Sequence, residues 1–152
     1  MAYTNVEGRQ QLLDSLAEAI DQLGLALASL SAAYEQLDVA TADTLEEELF
    51  GPVQRAYGRA KRTHAAFAER HGLQGSAFES QAAGIPSTGV RGFVDEAVAE
   101  IRAAGATLAT LQDSPMLLEV GDVELRRGLA EVRELIGDLP NRARELVRRL
   151  GR

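Results

Sequence analysis

The chain has 152 residues, no cysteine, no tryptophan, 45% hydrophobic residues and a net charge of −7. Without cysteine there are no disulfides, thiolate zinc sites, iron–sulfur clusters or thiol nucleophiles. The acidic balance lacks the basic footprint of general nucleic-acid binding. The opening residues show neither the charged nor the apolar region of a signal peptide. No apolar run approaches the ~18 residues of a membrane span. The expectation is one cytoplasmic domain over residues 1–152, with no nucleic-acid or membrane partner.

Alanine and leucine dominate while β-branched and aromatic residues are sparse, which favours helix over sheet. In the first segment, roughly residues 4–38, Val6, Leu13, Ile20, Leu27 and Tyr34 recur every seven positions. Leu16, Leu23, Leu30 and Leu37 follow in the same period, three residues later, so the two series form one heptad stripe.

The second segment begins near Thr41. Both Thr44 with Glu47 and Asp43 with Glu46 have capping-box spacing. Its stripe of Leu49, Phe50, Val53, Tyr57, Ala60, His64, Phe67 and His71 passes through Gly51-Pro52 without a slip, which predicts a kink or a restart at the proline. Gly72 is the expected stop. Residues 72–89 read as a long connection. Ser76 and Glu79 predict a short helix at about 77–83 within it, with Phe78 and Ile85 holding it to the core.

Val90, Ala97, Ala104 and Leu111, with Val94, Ile101 and Leu108, define a third helix that ends near Asp113. Ser114-Pro115 is a cap followed by a proline suited to the first turn, and Gly121-Asp122 interrupts or re-caps the fourth helix. Leu125, Val132, Leu139 and Leu146 then repeat with Leu129, Ile136, Ala143 and Leu150, bent near Asp138 by Pro140.

Four amphipathic segments predict an all-α fold, an antiparallel up-down-up-down four-helix bundle with a long connection between helices two and three. An overhand crossover would have to run nearly the whole bundle length, so alternation is preferred. In that order helices two and four are parallel, and their charges form poles. Residues 38–50 sum to −5, while residues 55–71 and 141–152 each sum to +4. Arg62, Arg148 and Arg149 would then share one basic pole, although the helix dipole alone favours bases at helix ends.

The sequence holds no Gly-rich phosphate loop and no nucleophile elbow. Neither histidine completes the Glu-x-x-His spacing of di-metal bundles, because Lys61 precedes His64 and Ala68 precedes His71 at the required position. His64 and His71 lie about 10 Å apart along a helix, too far to bind one ion together. Met116 is expected at the opposite end from His71. The reading is a non-enzyme with no metal and no cofactor, acting through self-association as a homodimer or through a helical protein partner. Leu25 and Phe93, apolar residues off the stripes, join the three arginines as interface candidates. The alternative is a small-ligand or cofactor binder using the bundle interior around His64, Tyr57 and Tyr34, polar-tipped residues on the core stripes.

Overall fold

The computed structural model describes residues 4–84 and 89–150, and every regular element among them is helical. Helix α1 (Asn5–Glu35) opens on a capping box. The Thr4 hydroxyl accepts from the Glu7 amide at 3.1 Å, and the Thr4 amide donates back to the Glu7 carboxylate at 3.4 Å. Leu13, Leu16, Ile20, Leu23 and Leu30 are buried as the heptads predict, but Val6 is 60% exposed and Tyr34 39% exposed. A straight helix drifts about 20° per heptad against a seven-residue repeat, so the two ends of the series rotate off the core. Ala33 takes the buried position instead of Tyr34.

With 31 residues, α1 is long and apolar enough by length and composition to cross a membrane, which corrects the sequence expectation; half of its most apolar window is buried within the fold. Small residues between the leucines raise the mean hydropathy without making an uninterrupted apolar run.

Helix α2 (Val39–Leu45) starts earlier than predicted, with Asp38 as its cap accepting from the Thr41 amide at 2.9 Å. It continues through a π turn (Glu46–Phe50) into α3 (Gly51–Arg70). The predicted kink takes this form because Pro52 has no amide hydrogen. The Gly51 amide reaches back five residues to the Glu46 carbonyl. The Glu48 carbonyl, four residues before the proline, accepts from the Arg142 guanidinium at 3.4 Å.

No helix forms at 77–83; residues 73–84 carry no regular structure. So short a helix gains little from its own hydrogen bonds, and here the side chains are held to α3 and α1 in an irregular run. Phe78 sits edge-on to His64, and the Gln81 amide donates to the Asp21 carbonyl at 3.2 Å. Ile85 lies outside the described residues.

Helix α4 (Gly89–Asp113) is followed by α5 (Pro115–Val120), capped by the Ser114 hydroxyl. Asp122 caps α6 (Val123–Ile136), and a two-residue turn, Gly137-Asp138, leads to α7 (Leu139–Leu150). Taking α2 through α3 and α6 through α7 as continuous runs, the described residues form five helical bodies rather than four; α5 is the additional one.

Cross-helix neighbours fix the directions. Along α1, Gly8 faces Met116, Gln22 accepts from Thr107 at 2.9 Å, Gly24 faces Tyr57 and Gln36 lies beside Gly89. Helix α4 therefore runs opposite to α1, and so does α3, whose far end brings His71 to Asp122, next to the Val120 carbonyl that accepts from Arg9 near the start of α1. Along α3, Arg70 meets Asp122, Thr63 meets Gly128 and Arg59 meets Glu131, so α6 runs opposite to α3. Arg142 beside Glu48 extends this into α7. The long bodies run up, down, down and up, not in alternation.

The expected order fails because the connection can cross. Eighteen residues between Arg70 and Gly89 reach roughly 60 Å when extended, and the 25 residues of α4 span only about 38 Å. Charge favours the result: the basic end of α3 meets the acidic start of α6, where parallel helices would have set base beside base. One apolar cluster, drawing on α1 through α7 and centred on residues such as Leu16, Leu23, Phe67, Leu108 and Leu129, fills the interior.

Candidate functional site

Three polar features flank this core. The first is the α3/α6 seam. Arg59 pairs with Glu131 and also donates to the Thr63 hydroxyl at 2.9 Å, which itself donates to the Arg59 carbonyl at 2.8 Å. A β-carbon at Gly128 would come within 2.6 Å of the Thr63 methyl and nearer still to its hydroxyl, so the helices touch backbone to side chain here. At the end of the seam Asp122 caps α6 through the Leu125 amide at 2.7 Å and accepts two bonds from Arg70 at 2.8 Å; its Oδ2 lies 2.9 Å from His71 Nε2. Burial opposes the Asp122 charge, yet Arg70, the Leu125 amide and His71 together hold its carboxyl down at about 2. Arg59 and Arg70 thus each have an acid partner across this seam.

The second feature is a groove of about 300 Å³ between α4 and α7. Val98, Pro140, Ala143 and Val147 make its floor, and Arg91, Arg102, Arg144 and Arg148 stand around it with Asp95. Positions 91, 95, 98 and 102 share one face of α4, while 144 and 148 share one face of α7. Arg148 pairs with the exposed Glu145 at 2.9 Å; Arg91, Arg102 and Arg144 make no ion pair among the described residues. Four guanidiniums thus surround an apolar floor in a chain of net charge −7.

The third is a depression of about 740 Å³ between α3 and residues 73–78, with Lys61, Arg62, His64, Glu69, Leu73 and Phe78 among its lining. His64 lies at its base, only 2% exposed, and burial pushes its imidazole pKa below the ordinary histidine value.

The three residues expected to converge on a ligand do not meet. Tyr34 lines a separate recess with Ser31, Glu46 and Phe50. Tyr57 lies half-buried under the Lys61 ammonium, 4.3 Å from its ring centroid, and burial raises its phenol pKa. His64 is buried and lines the depression, away from Tyr34 and Tyr57. Leu25 and Phe93 are half-buried, Phe93 against the core, so they make no exposed apolar face. Arg62, Arg148 and Arg149 are exposed but open onto three different surfaces: the His64 depression, the α4/α7 groove and a recess beside Thr41 and Thr44. The shared basic pole does not form, because the antiparallel order separates the two basic segments.

Met116, expected far from His71, lies at the same end. It packs at Gly8, next to the turn where Arg9 donates to the Val120 carbonyl at 3.0 Å, and His71 contacts Asp122 just beyond. Among the described residues no three His, Asp or Glu side chains come together as a metal-binding cluster. Sequence reasoning missed Arg91, Arg102, Arg144 and the apolar floor between them. Their spacing was visible on each helix, but their meeting required the direction of α7 against α4. No protein-family model matches this chain, and no curated protein or solved structure does either.

Proposed function

We propose that this chain is a non-enzymatic association protein of the cytoplasm, built on a four-helix bundle, whose α4/α7 groove takes an acidic amphipathic helix from a partner protein. The observation that carries this reading is the groove's chemistry: an apolar strip with Arg91, Arg102, Arg144 and Arg148 around it. A helix laid in such a groove buries apolar anchors at helical spacing and offers carboxylates to the guanidiniums on either side. The like charges repel one another in the free protein, and an acidic partner relieves that repulsion.

The test uses a fluorescently labelled helical peptide with leucine at i, i+4 and i+7 and glutamate beside each leucine. Its anisotropy should saturate on titration with the protein, weaken as salt rises, and lose about tenfold in affinity, equivalent to about 1.4 kcal/mol, in the Arg102→Glu/Arg144→Glu variant. Binding that ignores the charge reversal would remove the groove from the reading. Light scattering on the same samples checks the homodimer: a dimer of the wild-type chain that the reversal dissociates would make the partner a second copy of this chain.

A further inference from the structure

We propose that the depression between α3 and residues 73–78 is a binding site for a small organic anion with an aromatic or other apolar body. It is separate from the α4/α7 groove and rests on its own observations. His64 is the decisive residue. It is 2% exposed and lines the depression, and no hydrogen bond joins either ring nitrogen to another described residue. Among the described residues no fully buried side-chain nitrogen or oxygen is left without a partner. No described residue thus competes for a hydrogen bond to His64 with a group that enters the depression it lines.

The surroundings define what fits. Leu73, Ala65, Ala68 and Phe78 give an apolar wall, and Phe78 stands edge-on to the imidazole with ring centroids 5.2 Å apart. Apolar walls of this kind suit a second ring or an alkyl body. Lys61 and Arg62 stand at the rim and outnumber the single carboxylate there, Glu69. A neutral imidazole, which burial favours at this position, donates one hydrogen bond to an oxyanion without needing to be charged. The depression, about 740 Å³, lies in the size range of small-molecule sites. Gly58 and Gly75 keep its walls low.

The chain's two histidines make the test direct, because their imidazole Cε1 proton resonances are the only two of their kind. Phenyl phosphate is the probe, inorganic phosphate at matched ionic strength the charge-only control, and phenol the ring-only control. The site predicts a saturable shift of the His64 resonance with phenyl phosphate, an apparent affinity at least about tenfold weaker for either control, and a His71 resonance that stays in place. Lys61→Ala/Arg62→Ala, two rim changes that leave the core intact, should weaken phenyl phosphate about tenfold while the far-ultraviolet circular dichroism stays that of the wild type. Phe78→Ala should weaken it comparably and serves as the second variant. The proposal fails if His64 does not respond to phenyl phosphate, if both histidines shift together, if inorganic phosphate acts as strongly, or if the Lys61/Arg62 change leaves the affinity unaltered.

Discussion

The seams that α3 makes with α6 and that α4 makes with α7 are both antiparallel helix contacts rich in arginine, and they end in opposite conditions. Across α3/α6 two arginines meet acids of the facing helix, Arg59 with Glu131 and Arg70 with Asp122, and Gly128 lets α6 close down on Thr63. Across α4/α7 the arginines of both helices face one another around an open groove, with Asp95 as the only carboxylate in its lining. The first seam has its charge and shape satisfied within the chain. In the second, Arg91, Arg102 and Arg144 make no ion pair among the described residues and the groove stays open, the difference on which the proposed partner surface rests.

Closing the groove of α3/α6 from inside should be the most damaging change. Gly128→Ala places a methyl group against Thr63 and should cost about 2–3 kcal/mol in urea unfolding. Thr63→Ala on the same background should recover at least half of that, because it removes the atoms the methyl group meets. Full additivity of the two changes would contradict the close approach.

Next is the charge at the end of the seam. Asp122→Asn keeps a good helix cap but removes the negative charge, and should cost about 2 kcal/mol at pH 7. The sign follows from a folded carboxyl held at about 2 against an unfolded value of 3.8. The stabilisation is complete above the unfolded value and is lost as pH falls from about 5 towards 2. The asparagine variant should lose less stability than the wild type over that interval; parallel curves would show that Asp122 is not the group responsible. His64 works in the same direction at higher pH. Its folded pKa is depressed by burial, so stability declines as pH drops through the unfolded histidine value near 6.5.

The smallest effect on stability belongs to the other seam. Arg102→Glu/Arg144→Glu should leave the unfolding free energy within about 0.5 kcal/mol of the wild type, since neither arginine has an internal acid partner to lose. A loss of several kcal/mol would mean that these side chains hold the fold together and are not available to a partner.

Helix positions were legible in the sequence because burial imposes its period on residues such as Leu16, Ile101 and Leu129. The caps at Thr4 and Asp122 and the disturbance at Pro52 each rest on local chemistry, yet Thr4 and Asp38 escaped notice as caps, since weaker matches at Asp43 and Thr44 competed with the latter. Direction was not legible from helix periodicity or loop length. The alternating order followed from disfavouring a long crossing, whereas residues 71–88 have ample reach. The signal that carries the direction lay in the charges: an acidic run at 43–48, bases at 59–70 and bases at 142–149 pair only if α3 opposes α6 and α7. Taken as poles, those charges pointed to Arg62, Arg148 and Arg149 together; taken as complements, they predict Arg142 at Glu48 and Arg70 at Asp122. The candidate groove depends on that same direction, so its individual residues were readable and their assembly was not. Tyr34 was misplaced for a simpler reason, the drift of a straight helix against a heptad.

The most direct test of the claim that α4/α7 is the unfinished seam is a ¹H–¹⁵N and methyl shift map of the protein with the acidic amphipathic peptide added to saturation. The account predicts changes centred on Arg91, Val98, Arg102, Ala143, Arg144 and Val147, with the signals of Arg59, Thr63, Gly128 and Glu131 unmoved. Changes centred on the α3/α6 seam, or spread evenly over the surface without a maximum at the groove, would contradict it.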